Sequence, residues 1–411
     1  MGGRSETPRA GRGTRRRDAA GARLGGVDLA RGSALLAMMA THILPTFERD
    51  ASSSAWSPTW VGLVFSGRAA ALFAVLAGVS LTLGRVPAVR NRAGLALRAA
   101  VIAAVGLTLG LAEVNVAVIL VQYALLFWCA LPVLGLRRQA LGLLAAAWLL
   151  AAPVVAYLLR PALLESPQPL RLGHNPAWAD LAEPGRLLAD LTVTGYYPAL
   201  QWFAYVLVGL WVGRADLART STQAWLVVGG VVTAVTAKAC AWAFLTPLGG
   251  LNVLLATDQA RVWPLRAMLE ANLTGVDQTG TWWWLTTASP HSGTTLDLLH
   301  TSGTSAAVIG GFLLLARVGP LMRTGLLAPL AGAGTMTLTL YTAHVWALSL
   351  PVADLAHVTR ETLLALHVTV ALAVGLFVNA NGWRGPLEWV AHGASRLGLL
   401  ASGAPPRTLR R

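Results

Sequence analysis

The chain has 411 residues, of which 55% are hydrophobic and only 12% charged, with a mean hydropathy of +0.58; soluble globular chains are nearer a quarter charged. A net charge of +14 could mark a nucleic-acid binder, but the arginines sit in short loops between apolar runs and leave no soluble basic face, so no nucleic-acid partner is expected. Cys129 and Cys240, the two cysteines, lie within apolar segments, which excludes a disulfide framework and a thiolate metal site.

Residues 1–26 are Gly, Arg and small polar residues with no apolar period, which predicts a disordered basic cytosolic tail whose arginines suit anionic headgroups. Asp28 and Arg31 interrupt the next apolar run and no small-residue cleavage pattern follows it, so it reads as a retained helix and not as a secretory signal. Helices are predicted over 27–46, 60–84, 95–112, 115–136, 139–159, 197–214, 222–246, 297–317, 326–350 and 361–381, each close to the ~20 residues a bilayer requires. The expected fold class is therefore all-α, a polytopic integral membrane helical bundle of about ten transmembrane helices. One membrane domain covers 27–384, and a cytosolic tail covers 385–411.

Orientation follows from the basic residues. Of 32 Lys and Arg, 22 fall in the 1–26 tail, in alternate loops and in the 385–411 region with Arg384, against seven in the remaining loops. That asymmetry predicts both termini on the cytosolic side. The long loops 160–196 and 247–296 are then extracytoplasmic, and their Trp178, Tyr196, Tyr197, Trp263, Trp282, Trp283 and Trp284 read as interfacial anchors or as a sugar-stacking surface. Gly209 and Gly213 form a small-xxx-small pair suited to helix packing.

Charges inside apolar helices are expensive, which singles out Asp28, Arg31, Arg68 and Lys238. Eleven residues separate Arg31 from His42, about three turns, so the two differ by only ~20° around the helix and ~16 Å along it. A lone His in an apolar helix is often a satisfied core residue, but an Arg on the same face favours a working one. Arg68 lies ~12 Å from the outer end of its helix, at a depth close to that of His42; it could pair with a backbone carbonyl or hold an acceptor anion. Thr337, Tyr341 and His344, at i, i+4 and i+7, give one polar face on an apolar helix, for interhelical hydrogen bonding or for substrate. In the 289–304 stretch, His291, Asp297 and His300 prompt the question of a metal, yet only Asp297 and His300 share a helical face, so an acceptor-binding rim and no metal is expected. No G-x-S-x-G elbow supports a hydrolase.

Asp28-x-x-Arg31-Gly32 followed by His42 resembles the first helix of the membrane acyltransferase superfamily, in its bacterial branch related to heparan-alpha-glucosaminide N-acetyltransferase. The segments 67–84, 194–214 and 334–344 resemble the second, middle and late helices of that branch, and Gly385-Pro386-Leu387-Glu388 resembles its C-terminal signature. The heparan enzymes have Asn where this chain has His42, and carry their catalytic His in the first extracytoplasmic loop; 47–59 contains no His here. The resemblance implies an acyltransferase of the bacterial plasma membrane, with acyl-CoA, acetyl-CoA foremost, as cytosolic co-substrate. His42 would be the catalytic base, Arg31 and Asp28 would hold the donor with the arginines of 85–98 nearby, and Arg68, Tyr341 and His344 would hold an extracytoplasmic glycan or small-metabolite acceptor. The lipid bilayer is the other partner, and a homodimer stays open. A transporter or flippase of a small polar or glycolipid substrate is the alternative; it calls for a two-fold repeat and broken helices, neither of which is legible.

Overall fold

The computed structural model describes residues 10–52, 54–84, 87–164, 174–350 and 358–401. Backbone amides and carbonyls have no water to bind in a bilayer, so apolar Ala- and Leu-rich runs must satisfy them within helices. Twelve helices carry the architecture: α1 Ala10–Ile43, α2 Arg68–Thr82, α3 Arg92–Leu109, α4 Leu120–Ala130, α5 Arg138–Leu164, α6 Ala199–Gly213, α7 Thr220–Leu245, α8 Thr295–Leu315, α9 Ala328–Thr335, α10 Thr337–Leu348, α11 Arg360–Ala380 and α12 Pro386–Ala401. Every expected apolar stretch is helical over most of its length. Among the described residues six spans are long and apolar enough to cross a membrane: Trp60–Thr82, Ala88–Leu109, Arg138–Leu164, Thr220–Leu245, Thr295–Leu315 and Arg360–Ala380. The only strand pairing among the described residues is a small antiparallel hairpin, Phe47–Arg49 against Trp56–Pro58, with Glu48 opposite Ser57.

Three departures from the expected elements matter for the site. The backbone of α1 is helical from Ala10, ahead of the residue-27 start expected for the first helix. The expected helix over 326–350 is interrupted at Met336, whose φ of −131° and ψ of 38° end α9 and start α10. The first amides of α10 lack helical partners, and Glu388 supplies one: its Oε1 accepts from the amides of Leu338 and Thr339 at 2.7 and 3.1 Å, and its Oε2 from the Thr339 hydroxyl at 2.6 Å. A carboxylate at that position also opposes the positive end of the helix. Third, the region beyond 385 begins as α12, which packs along α3. Gly94 and Gly398 meet there backbone to backbone, and Asn91 Nδ2 donates to Ser395 Oγ at 3.2 Å.

Burial orders the layers. In α6 eleven of fifteen residues are buried, the pattern of a helix surrounded on all sides. It packs on α2 and α5. Gly78 of α2 and Gly209 of α6 let the two backbones touch, and Gly213 lies against Thr82, so the expected small-residue pair is a packing device. The helices α7 and α8 form a second close pair, and α1 lies against α2, α8 and α9. By contrast α7 exposes Trp225, Val228, Val232, Val235 and Trp242, an apolar surface fit for lipid and not for water. Among the loop aromatics Trp178 and Trp282 are exposed, as anchors would be, whereas Trp284 is fully buried and donates to the Thr279 carbonyl at 2.9 Å.

Candidate functional site

A cavity of about 730 Å³ runs between α1, α2, α3, α4, α10 and α12, within the range that holds small molecules and cofactors. One end is basic, with Arg31, Arg98, Arg384 and His392; the other is lined by Met38, Ile119, Tyr123 and Tyr341. The first helix supplies the connection. Arg31 and Met38 both line the cavity and are seven residues apart, two turns on one face, and His42 is one further turn along that face. Arg31 Nη1 donates to Asp28 Oδ1 at 2.8 Å, and Nη2 bonds to the Ser80 hydroxyl of α2, so the guanidinium is held at the cavity wall from both sides.

Tyr341 lines the cavity, and behind it His42 and His344, which are not among the lining residues, meet its ring and each other. The rings of His42 and His344 stack with centroids 5.3 Å apart and planes at 15°, and His42 Nδ1 lies 3.2 Å from His344 Nε2. The Tyr341 ring meets His42 edge-on at 6.1 Å. Its hydroxyl donates to Ala117 O and accepts from Ile119 N, each at 3.4 Å, tying α10 to the start of α4. Thr337 lines the same cavity, so the polar face read at i, i+4 and i+7 faces inward as one unit. His367 of α11, which carries no sequence signal of its own, completes the group with its Nδ1 2.8 Å from His344 Nδ1.

Arg68 belongs to a different group. Its Nε donates to His300 Nε2 at 3.1 Å and its Nη1 to Ser66 O at 3.2 Å. His300 Nε2 is therefore an acceptor, and Nδ1 carries the proton toward Ala234 O at 3.0 Å. Asp297, one turn earlier on α8, accepts from Gly293 N at 3.0 Å, and Lys238 donates to Ala288 O at 2.9 Å. His291, with a φ of +64°, lies against the rings of Tyr197 and Trp202, which also meet each other. Arg68 thus joins the 289–304 residues and makes none of its hydrogen bonds with the His42 group.

A second, smaller cavity of about 310 Å³ is lined by His174, Asp180, Glu183, Arg186 and Asp190. Burial raises the Asp180 carboxyl, but hydrogen bonds from the Ala177 amide and His174 Nε2, at 2.7 and 2.8 Å, outweigh it and hold the carboxyl below its usual range. Asp190 is 4% exposed, neither oxygen has a hydrogen-bond partner among the described residues, and burial pushes its carboxyl up to about 6.

His392 was missed in the sequence because the region beyond 385 reads as a tail, and Arg384 because it sits at the very end of the expected membrane domain and was counted only toward topology. For His392 a signal was present: Glu388 and His392 fall at i and i+4, one face of a helix.

Several helices long and apolar enough to cross a membrane, packed around a cavity with a basic end, mark a multi-pass membrane protein. The family model of heparan-alpha-glucosaminide N-acetyltransferase, catalytic, matches residues 23–241, more than half of the chain, and the protein belongs to this family of membrane acetyltransferases. The match takes in Arg31, His42, Arg68 and the wall formed by α2 to α4. No curated protein matches the chain.

Proposed function

We propose that the protein moves an acyl group, acetyl foremost, from cytosolic acyl-CoA to an extracytoplasmic glycan or small metabolite, across a plasma membrane it crosses ten times with both termini inside. The observation that carries this reading is the cavity that runs from the arginines at one end to Met38, one turn short of His42 on α1, and Tyr341, whose ring meets His42 edge-on at 6.1 Å, at the other. Phosphates of the donor need cationic contacts, which Arg31, Arg98 and Arg384 are placed to give. An acceptor hydroxyl or amine must lose its proton as it attacks the thioester, and an imidazole suits that role near neutral pH; His42 is that base. Tyr341 and His344 border the acceptor, and Arg68 contributes from its own group on α2.

Inverted membrane vesicles incubated with labelled acetyl-CoA test the reading. Label on a lumenal acceptor supports it. Uptake of an intact substrate with no covalent label favours the carrier alternative, for which the interrupted helix at Met336 is the one supporting feature. There, however, Glu388 already occupies the exposed amides.

A further inference from the structure

A base embedded among apolar helices gains one proton per turnover, and keeping a charged imidazolium there is costly. It needs a route for that proton. On the reading of His42 as base, we propose that His42, His344 and His367 form a proton-conducting chain, with His367 as the residue through which the proton leaves the site.

The geometry is continuous from end to end. His42 Nδ1 and His344 Nε2 are 3.2 Å apart, and His344 Nδ1 and His367 Nδ1 are 2.8 Å apart. His344, 3% exposed, therefore spends both ring nitrogens on other histidines. Each contact holds one proton, and one arrangement leaves His42 ready to act as a base: His42 Nδ1–H donates to His344 Nε2, and His344 Nδ1–H donates to His367 Nδ1. His42 Nε2 is then bare and His367 keeps its proton on Nε2. His367 is partly exposed on α11, a helix long and apolar enough to cross a membrane, and lies seven residues from Arg360, ~10 Å along α11 from the exposed end of that helix, the direction in which its proton leaves. Tyr341 is the titratable group that faces His42 from α10, and its hydroxyl is engaged by Ala117 and Ile119.

In the transfer step, the acceptor oxygen or nitrogen bonds to the thioester carbonyl carbon and the C–S bond breaks. The CoA thiolate takes a proton from water at the basic mouth. The acceptor's proton goes to His42 Nε2, the Nδ1 proton passes to His344 Nε2, and the His344 Nδ1 proton passes to His367 Nδ1. The His367 Nε2 proton is released to water. The rings then turn to restore the starting tautomers. His344 and His367 act through His42 and are positioning residues.

The test uses the full chain, 15N-labelled at histidine, in lipid nanodiscs. Two N–H···N couplings are expected by NMR, joining His42 to His344 and His344 to His367. In His367→Gln, the His42 ring should lose its single Nδ1–H tautomer, a remote change that simple packing does not produce. Absent couplings, or a His42 tautomer indifferent to His367→Gln, overturn the chain; where that variant does not fold, the wild-type couplings decide. With acetyl-CoA as donor, His367→Gln should lower kcat at least tenfold, leave KM for acetyl-CoA unchanged and be rescued by added imidazole. An undiminished kcat overturns the exit role. A wild-type chain that shows both couplings but transfers no acetyl would refute the acyltransfer reading and leave the chain of histidines standing.

Discussion

Arg31 and Asp190 show how differently two charged side chains can be used in one apolar protein. Arg31 is braced by Asp28 and Ser80 at a cavity wall, where a guanidinium touching donor phosphates would act equally in ground and transition states. Arg31→Gln should therefore raise KM for acetyl-CoA, by about tenfold from the loss of a charge-assisted hydrogen bond, and leave kcat nearly unchanged. Lost turnover at constant KM would move Arg31 into the chemical step. Asp190 has no hydrogen-bond partner among the described residues, and burial holds its carboxyl at about 6 in the folded protein against 3.8 for the unperturbed group. Between those values the unfolded chain has released the proton and the folded chain has kept it, so folding stability falls as pH rises through that window. Asp190→Asn should leave stability nearly unchanged near pH ~3, below the unperturbed value, and raise it on the order of 2–3 kcal/mol at pH 7, read from detergent-solubilised unfolding curves at the two pH values. A gain that is the same at both would assign the effect to packing.

At the scale of elements, contacts between glycines decide how closely helices approach. A Cβ at Gly209 would strike the Val75 carbonyl of α2, whereas one at Gly229 on α7 meets nothing within 4 Å. Gly209→Val should cost about 1–3 kcal/mol through overpacking, seen as a lowered melting temperature in detergent, with Gly229→Val as the silent control. Equal melting temperatures for the two variants would refute the close α2–α6 contact. Hydropathy located the helices well because a bilayer-length apolar run leaves few alternatives. It could not locate the break at Met336: nothing in the local residues marks it, and the group that satisfies it, Glu388, lies 50 residues from Leu338. Nor could it join His344 to His367, since each is a lone histidine on its own helix until the helices pack. The Arg31–His42 face was legible because both residues share one helix. The reading of Arg68 as a companion of His42 rested on depth alone, which left its direction around the helix axis unspecified, and it turns instead to His300.

Across the whole molecule, the asymmetry of basic residues is a statement about which side each loop occupies. In a background with Cys129 and Cys240 changed to Ser, an impermeant thiol reagent applied outside intact cells should tag Gly275→Cys, whose site is open, and spare Ala88→Cys; the reverse pattern would invert the topology. The same layout has a bearing on how the protein is made. Chains are synthesised from the N-terminus and their parts fold as they emerge, so α1 to α4 can assemble long before α12 exists. The mouth of the cavity nonetheless takes Arg384, Glu388 and His392 from that late segment, and α10 enters the membrane with its first amides uncapped. A nascent chain that has passed Leu338 and not yet reached Glu388 has most of its spans and an open gap where the donor would sit. On the proposed reading, competence to bind the donor is thus a matter of timing, reached as α12 closes on α3, and a ribosome stalled in the interval would leave an inserted but idle protein.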